Sequence, residues 1–230
     1  MRSWSRAGRW RWKATAGWLV GLVTVTAAPA RAQDPVAIVG RAGRIYRSLS
    51  SLKADFVQTI EDRSQGDTLS GRGTVVQAGD NYFAMRFSDP PDEAVVVDGK
   101  YIWTYTPSTA PNVVYRSPLP ADPIYGVNFL AKLLDRPQDR YHATYVGREM
   151  ISGRSTDVVD LVPISQSISF SRARIWIGTD DGLPRRIELD EGPGARRIVV
   201  LTNLRPNAPI AASTFSFKVP SGVRVVEPPA

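Results

Sequence analysis

Ala94-Val95-Val96-Val97-Asp98-Gly99-Lys100-Tyr101-Ile102-Trp103-Thr104-Tyr105 is the stretch that decides the fold. Two short runs rich in β-branched and aromatic residues, Ala94–Val97 and Tyr101–Tyr105, flank Asp98-Gly99. That dipeptide tolerates the left-handed backbone of a tight turn, so the stretch reads as an antiparallel hairpin. The same period of two extends in both directions. Towards the N-terminus, Asn81–Phe87 sets Phe83, Met85 and Phe87 on one face and Tyr82, Ala84 and Arg86 on the other. Before it lie Leu69–Gln77, with Gly71 and Gly73 as bends, and Ala54–Ile60.

Beyond the hairpin the pattern predicts strands at Val113–Arg116, Tyr141–Val146, Ser155–Val162, Arg172–Ile177, Arg185–Asp190, Arg196–Leu204 and Phe215–Val219. Asp181-Gly182 and Gly192-Pro193-Gly194 supply turns between them. Two segments break the period. Val36, Val39, Ile45, Leu49 and Leu52 recur at helical spacing over Asp34–Leu52, with Pro35 in the first turn. Val127, Leu130, Leu133 and Leu134 form a second apolar stripe over Asp122–Asp135, with Asp122 as N-cap, Pro123 at the first helical position and Pro137 as the stop. About ten or eleven strands drawn from these twelve runs, in succession with short turns, predict an antiparallel meander, and two helices are too few to connect a parallel sheet. The expected fold is mainly β with helices (α+β): a barrel or half-barrel with helices on its open, concave side.

The first 32 residues belong to a different function. Arg2, Arg6, Arg9, Arg11 and Lys13 precede an apolar run, Ala14–Ala28, and Ala30-Arg31-Ala32 places small residues where a signal peptidase reads. The run of about 15 residues is shorter than the roughly 20 a spanning helix needs. The expectation is a signal peptide over residues 1–32, cleaved after Ala32, periplasmic export, and a single domain over 33–230. The full chain carries 29 Lys and Arg against 22 Asp and Glu, but six of the basic residues and none of the acidic ones fall in the leader. From Gln33 onward the balance is nearly neutral. Nucleic acid is therefore excluded as a partner, because a phosphate binder needs surplus cations on its folded domain. The chain has no Cys, so it lacks the residue a lipoprotein needs after its signal peptide to carry lipid.

Catalytic and metal readings lack parts. His142 is the one histidine and lies in a strand pattern, with no Gly-x-Ser-x-Gly turn in the chain. No His/Cys set can hold zinc, and neither a metal nor a cofactor is expected. Asp180-Asp181 sits in a turn, where Asp serves the backbone. The Arg172/Arg174 and Arg185/Arg186 groups read as a solvated strand face. What remains is apolar surface. Phe56, Phe83, Met85, Phe87, Val95, Val97, Trp103, Ile175, Ile177, Ile187 and Leu189 are candidates for one face of the curved sheet, with Leu130, Leu133 and Leu134 of the second helix across it. Alternation alone leaves core and cavity both open, since the two share it.

Four stretches together resemble the LolA family of periplasmic lipoprotein carriers. They are Ser50-Ser51-Leu52-Lys53-Ala54-Asp55-Phe56-Val57-Gln58; Gly71-x-Gly73 with the aromatic strand and Asp89-Pro90-Pro91-Asp92-Glu93; Val95 to Pro107 with Asp98-Gly99-Lys100, Trp103 and Tyr105; and Ser213-x-Phe215-x-Phe217-x-x-Pro220-x-Gly222-Val223. The resemblance implies an incomplete antiparallel barrel closed by a helical lid over an apolar cavity, in a protein that is not an enzyme. It also implies acylated lipoprotein cargo, taken from an inner-membrane ABC transporter of the LolCDE type and passed to an outer-membrane acceptor such as LolB. A shuttling carrier is expected to be a monomer. One place departs from the family: a basic residue that helps hold the lid normally precedes a Pro at the start of the aromatic strand, and here Ala78-Gly79-Asp80-Asn81 stands instead. A carrier of another lipid or glycolipid, and an envelope-stress sensor domain of the same fold, are the competing readings.

Overall fold

A computed structural model describes residues 33–119, 129–165, 168–192 and 194–227. The leader, residues 1–32, lies outside them, as do Asp122, Pro123 and Val127 of the second predicted helix and Pro193 of the last turn.

Among the described residues the chain forms helix α1 (Pro35–Ser48), strands β1 (Ser51–Asp62), β2 (Asp67–Ala78), β3 (Tyr82–Asp89), β4 (Pro91–Asp98), β5 (Tyr101–Tyr105) and β6 (Val113–Pro118), and helices α2 (Phe129–Leu134) and α3 (Pro137–Arg140). Then come β7 (Tyr141–Ile151), β8 (Arg154–Pro163), β9 (Arg172–Gly178), β10 (Pro184–Glu191), β11 (Ala195–Pro206) and β12 (Arg224–Val226). All twelve strands join one sheet in the order β12-β6-β5-β4-β3-β2-β1-β11-β10-β9-β8-β7. Two meanders, β1–β6 and β7–β11, meet where β1 pairs with β11. Only β12 runs parallel to its neighbour, β6. Among the described residues β7 and β12 are the edges of the sheet, which is therefore an unclosed, incomplete barrel, as the family resemblance implies, where alternation alone left barrel and half-barrel open.

α1 begins where the sequence says it should. The Asp34 carboxylate accepts from the Val36 N–H at 3.0 Å, and Pro35 occupies the first turn. It ends earlier than the periodicity predicts, at Ser48 instead of Leu52. The serines explain this. The Ser48 hydroxyl donates to the Ile45 carbonyl, Ser50 donates to the Asn207 side chain, and the Ser51 hydroxyl donates to the Ala208 carbonyl. Those side-chain bonds compete with further helix and draw the chain into β1.

The C-terminus also departs from the prediction. Residues 215–219 are not a sheet strand. Ala212–Phe215 is a short 3-10 turn, and the edge strand comes later, at Arg224–Val226. The Arg86 guanidinium donates to the Thr214 and Ser216 carbonyls at 3.3 and 2.9 Å, tying the segment across the sheet face instead of along its edge.

The sheet has two faces with different covers. The inner face, covered by α1 and α2, holds the main core, which includes Phe56, Leu161, Ile175, Ile187, Val199 and Leu201 from the strands and Val39, Tyr46, Leu133 and Leu134 from the helices. The outer face of β2–β5 holds a smaller cluster, Val76, Ala84, Ala94 and Val96, under Phe215 and Phe217. Among the described residues no helix is long and apolar enough to cross a membrane.

Candidate functional site

On the inner face, beside α2, lies a groove of about 520 Å³. Its floor and walls include Phe83, Met85 and Phe87 of β3, Val95 of β4, Leu189 of β10 and Leu133 of α2, with Ile60 and Phe170. Two glycines make room for it. A Cβ on Gly71 would stand 2.8 Å from the Phe87 ring, and one on Gly73 would stand 2.0 Å from the Arg86 carbonyl oxygen. The Phe87 ring can therefore lie over β2, where it meets Phe56 edge-to-face at 4.9 Å.

Of the residues singled out from the sequence, Phe83, Met85, Phe87, Val95, Leu189 and Leu133 line this groove. Phe56, Ile175, Ile177 and Ile187 are buried in the core beside it, together with Leu130 and Leu134. Val97 is buried at the register position opposite Phe83. Trp103 is a correction. It lies on the outer face, stacked on Phe217 with centroids 5.5 Å apart, and its indole N–H donates to Asp98 at 2.7 Å. The reason is register: Val96 pairs with Trp103, while Val95 pairs with Thr104 and Val97 with Ile102. Because paired residues share a face, Trp103 belongs with Val96 and away from Val95 and Val97.

The sequence reading passed over the polar residues of the groove. Gln58, Glu191 and Arg197 line one wall, and Glu93, Thr104 and Thr106 the other. Arg197 Nε donates to both carboxylate oxygens of Glu191, at 3.0 and 3.1 Å, and its Nη1 donates to Gln58 Oε1 at 3.0 Å. Alternation carries the signal: Gln58 follows Phe56, Glu191 follows Leu189, and Arg197 precedes Val199 on the inner-facing positions of three adjacent strands.

α2 forms the roof. Leu130, Leu133 and Leu134 are 7, 1 and 1 % exposed. α1 approaches it so closely that a Cβ on Gly43 would fall 2.3 Å from the Leu134 carbonyl oxygen. Arg47 of α1 pairs with Asp135 just after α2 at 3.6 Å, a half-exposed contact of small energetic weight. Arg86 is on the outer face, holding the C-terminal segment, and takes no part in the roof.

The other candidate groups are engaged in structure. Arg172 and Arg174 both bind Asp160, and Arg185 and Arg186 bind Asp181 and Glu188. Asp180 and Asp181 accept turn N–H groups, and Asp180 also binds Arg154 at 2.7 Å. His142 is exposed on β7. Among the described residues no group of three His, Cys, Asp or Glu side chains is placed to hold a metal ion.

An open half-barrel with a roofed, mostly apolar groove is the arrangement these residues build. The chain belongs to the LolA family: the model of "Outer membrane lipoprotein carrier protein LolA" matches residues 47–218. It is similar to the outer-membrane lipoprotein carrier protein of Shewanella loihica, 26 % identical over 206 residues that cover 89 % of this chain and 90 % of that one. The protein of the same name from Pasteurella multocida is 26 % identical over 177 residues, 76 % of this chain and 79 % of its own. Among solved structures, an uncharacterized conserved protein from Thermus thermophilus shares the fold with a TM-score of 0.55 at 16 % identity, over 85 % of this chain and all of that one.

Proposed function

We propose that this protein is a non-enzymatic periplasmic carrier that shields the acyl chains of lipoproteins in its inner-face groove and ferries them from the inner to the outer membrane. Residues 1–32 direct export and are removed, and residues 33–230 form the carrier domain. The observation that carries the reading is the groove itself: about 520 Å³, with a mostly apolar lining that the polar side chains interrupt. A dry protein cavity of about 150 Å³ takes one benzene, or about 25 Å³ per carbon, so this groove takes about 20 carbons, one long acyl chain.

Burying a methylene is worth about 0.8 kcal/mol, so a chain of about 15 methylenes is held by up to about 12 kcal/mol. Cargo held that firmly leaves for another apolar site and not for water. That requirement calls for a donor and an acceptor, which in this family's scheme are an inner-membrane ABC transporter of the LolCDE type and an outer-membrane acceptor of the LolB type. The carrier works as a monomer.

Native mass spectrometry of the exported protein with a synthetic S-diacylglyceryl lipopeptide tests this. A one-to-one complex is expected, lost in Met85→Glu, which places a charge in the half-buried groove wall while the fold, followed by circular dichroism, persists. If the wild-type protein takes up neither the lipopeptide nor an apolar fluorophore, the groove is ordinary core and the carrier reading is wrong.

A further inference from the structure

We propose that Gln58, Glu191 and Arg197 are the head-group end of the groove, selecting cargo whose head offers uncharged ester and amide carbonyls and turning away lipids that bear a phosphate. The inference rests on the groove being an acyl-chain site.

The three residues occupy inner-facing positions on β1, β10 and β11, where their neighbours along each strand are Phe56, Leu189 and Val199. Polar groups in such a lining are costly unless they are hydrogen-bonded. These three satisfy one another in part. Both Glu191 oxygens are taken by Arg197 Nε, and Gln58 Oε1 by Arg197 Nη1. The donors left over are Arg197 Nη2 and Gln58 Nε2, neither of which has a partner among the described residues. The Arg197 and Glu191 side chains are 30 and 31 % exposed, so water serves those donors while the groove is empty. An acyl chain filling the groove displaces that water, and the cargo must then bring its own acceptors. Ester and amide carbonyls at the root of an acyl chain do so. A hydrocarbon without them leaves buried donors unpaired, and sites built this way reject such analogues strongly.

Charge sets the second half of the selection. The guanidinium of Arg197 is already neutralised by Glu191, and the facing wall carries Glu93. A phosphodiester at this end would meet two carboxylates and one engaged cation. A neutral carbonyl takes an N–H without that repulsion. Like charges brought together at an interface lower affinity by more than tenfold.

The experiment is displacement of a bound apolar fluorophore from the exported protein by three competitors with the same two palmitoyl chains. They are an uncharged N-acetylated S-dipalmitoylglyceryl cysteine peptide, dipalmitoylglycerol and dipalmitoylphosphatidylglycerol. Both uncharged competitors are expected to act at concentrations at least about tenfold lower than the phosphatidylglycerol. In Glu191→Gln the freed guanidinium should strengthen phosphatidylglycerol binding by about tenfold or more, a gain that a misfolded variant cannot produce. Equal displacement by all three in the wild type, or an unchanged ratio in Glu191→Gln, overturns the head-group assignment and leaves the acyl groove standing. Failure to bind the fluorophore or any of the three lipids overturns the acyl groove, and this assignment with it.

Discussion

Gly40 and Gly43 lie three residues apart on α1 and meet different neighbours, which makes them a matched pair for testing how the roof is held. In a helix interior, Ala is favoured over Gly by about 1 kcal/mol. At Gly40 nothing opposes that gain: an added Cβ meets only the Arg44 guanidinium at 3.6 Å and the Pro137 ring at 4.0 Å, ordinary contact distances. At Gly43 the same Cβ stands 2.3 Å from the carbonyl oxygen of Leu134, a backbone atom that moves only if α2 moves. Overpacking of this kind costs about 1–3 kcal/mol, and backbone contact puts it at the upper end, so the net effect is a loss of about 2 kcal/mol. For a domain of this size, 1 kcal/mol shifts Tm by about 2–4 °C. Gly40→Ala should therefore raise Tm by about 2–4 °C and Gly43→Ala should lower it by about 4–8 °C, read by thermal circular dichroism. If Gly43→Ala is as stabilising as Gly40→Ala, then α1 and α2 are not in the contact described and the account of the roof fails.

Four further outcomes are expected. Burial pushes the Asp98 carboxyl up, but the Trp103 indole N–H and the backbone N–H groups of Tyr101 and Lys100 more than offset this and hold it below the usual carboxylate range. Its stabilisation is present above the unfolded carboxylate pKa of about 3.9 and is lost as pH falls through the lower folded value, so urea midpoints of the wild type should drop more steeply below pH ~4 than those of Asp98→Asn. Asp98→Asn itself should cost about 1.5–3 kcal/mol at neutral pH, where the charge-assisted bonds are intact. Tyr141 is 2 % exposed and its hydroxyl has no partner among the described residues, so Tyr141→Phe should raise Tm by about 2–4 °C for about 1 kcal/mol of relieved desolvation. Hydrogen exchange should find the α2 amides protected with a single-chain lipopeptide and exposed with a two-chain one; equal protection would contradict the capacity assigned to the groove.

Much of this fold is legible in the sequence because alternation is a local signal. The β1–β6 meander follows from it, and the Asp98-Gly99 turn is where the chain places it, with Gly99 at φ 91°. Face assignment is legible too, but only if pairing is followed across the turn. In either register open to the hairpin, an even-numbered residue of β4 faces an odd-numbered one of β5, which already puts Trp103 with Val96. The end of α1 was not legible, since it depends on bonds from Ser50 and Ser51 to residues 207 and 208, far along the chain. Nor was the fate of residues 215–219, whose apolar alternation serves the outer face because Arg86 has captured their backbone. Core and groove separate only in three dimensions. Ile187 and Leu189 alternate identically along β10 and both pack in the core under the helices, yet of the two only Leu189 also borders the groove.

The latch that the family resemblance implies, and that this sequence lacks, has a physical substitute in the structure. With Ala78-Gly79-Asp80-Asn81 where a basic residue normally stands, and Arg86 committed to the outer face, the roof is held by apolar burial and by the close contact at Gly43. Leu130, Leu133 and Leu134 are almost fully buried, and exposing all three costs about 5–9 kcal/mol. On the proposed reading that cost holds α2 over the empty groove. In the proposed cycle a first acyl chain fits beneath the roof, since about 20 carbons fill the groove. A second chain does not fit, but it brings up to about 12 kcal/mol of its own burial, more than the three leucines oppose. The cargo itself can therefore displace α2, and its departure lets the leucines close again. A roof held by leucines instead of a cation is insensitive to salt over the range where an ion-paired latch would weaken, because screening acts on charges and leaves apolar burial in place.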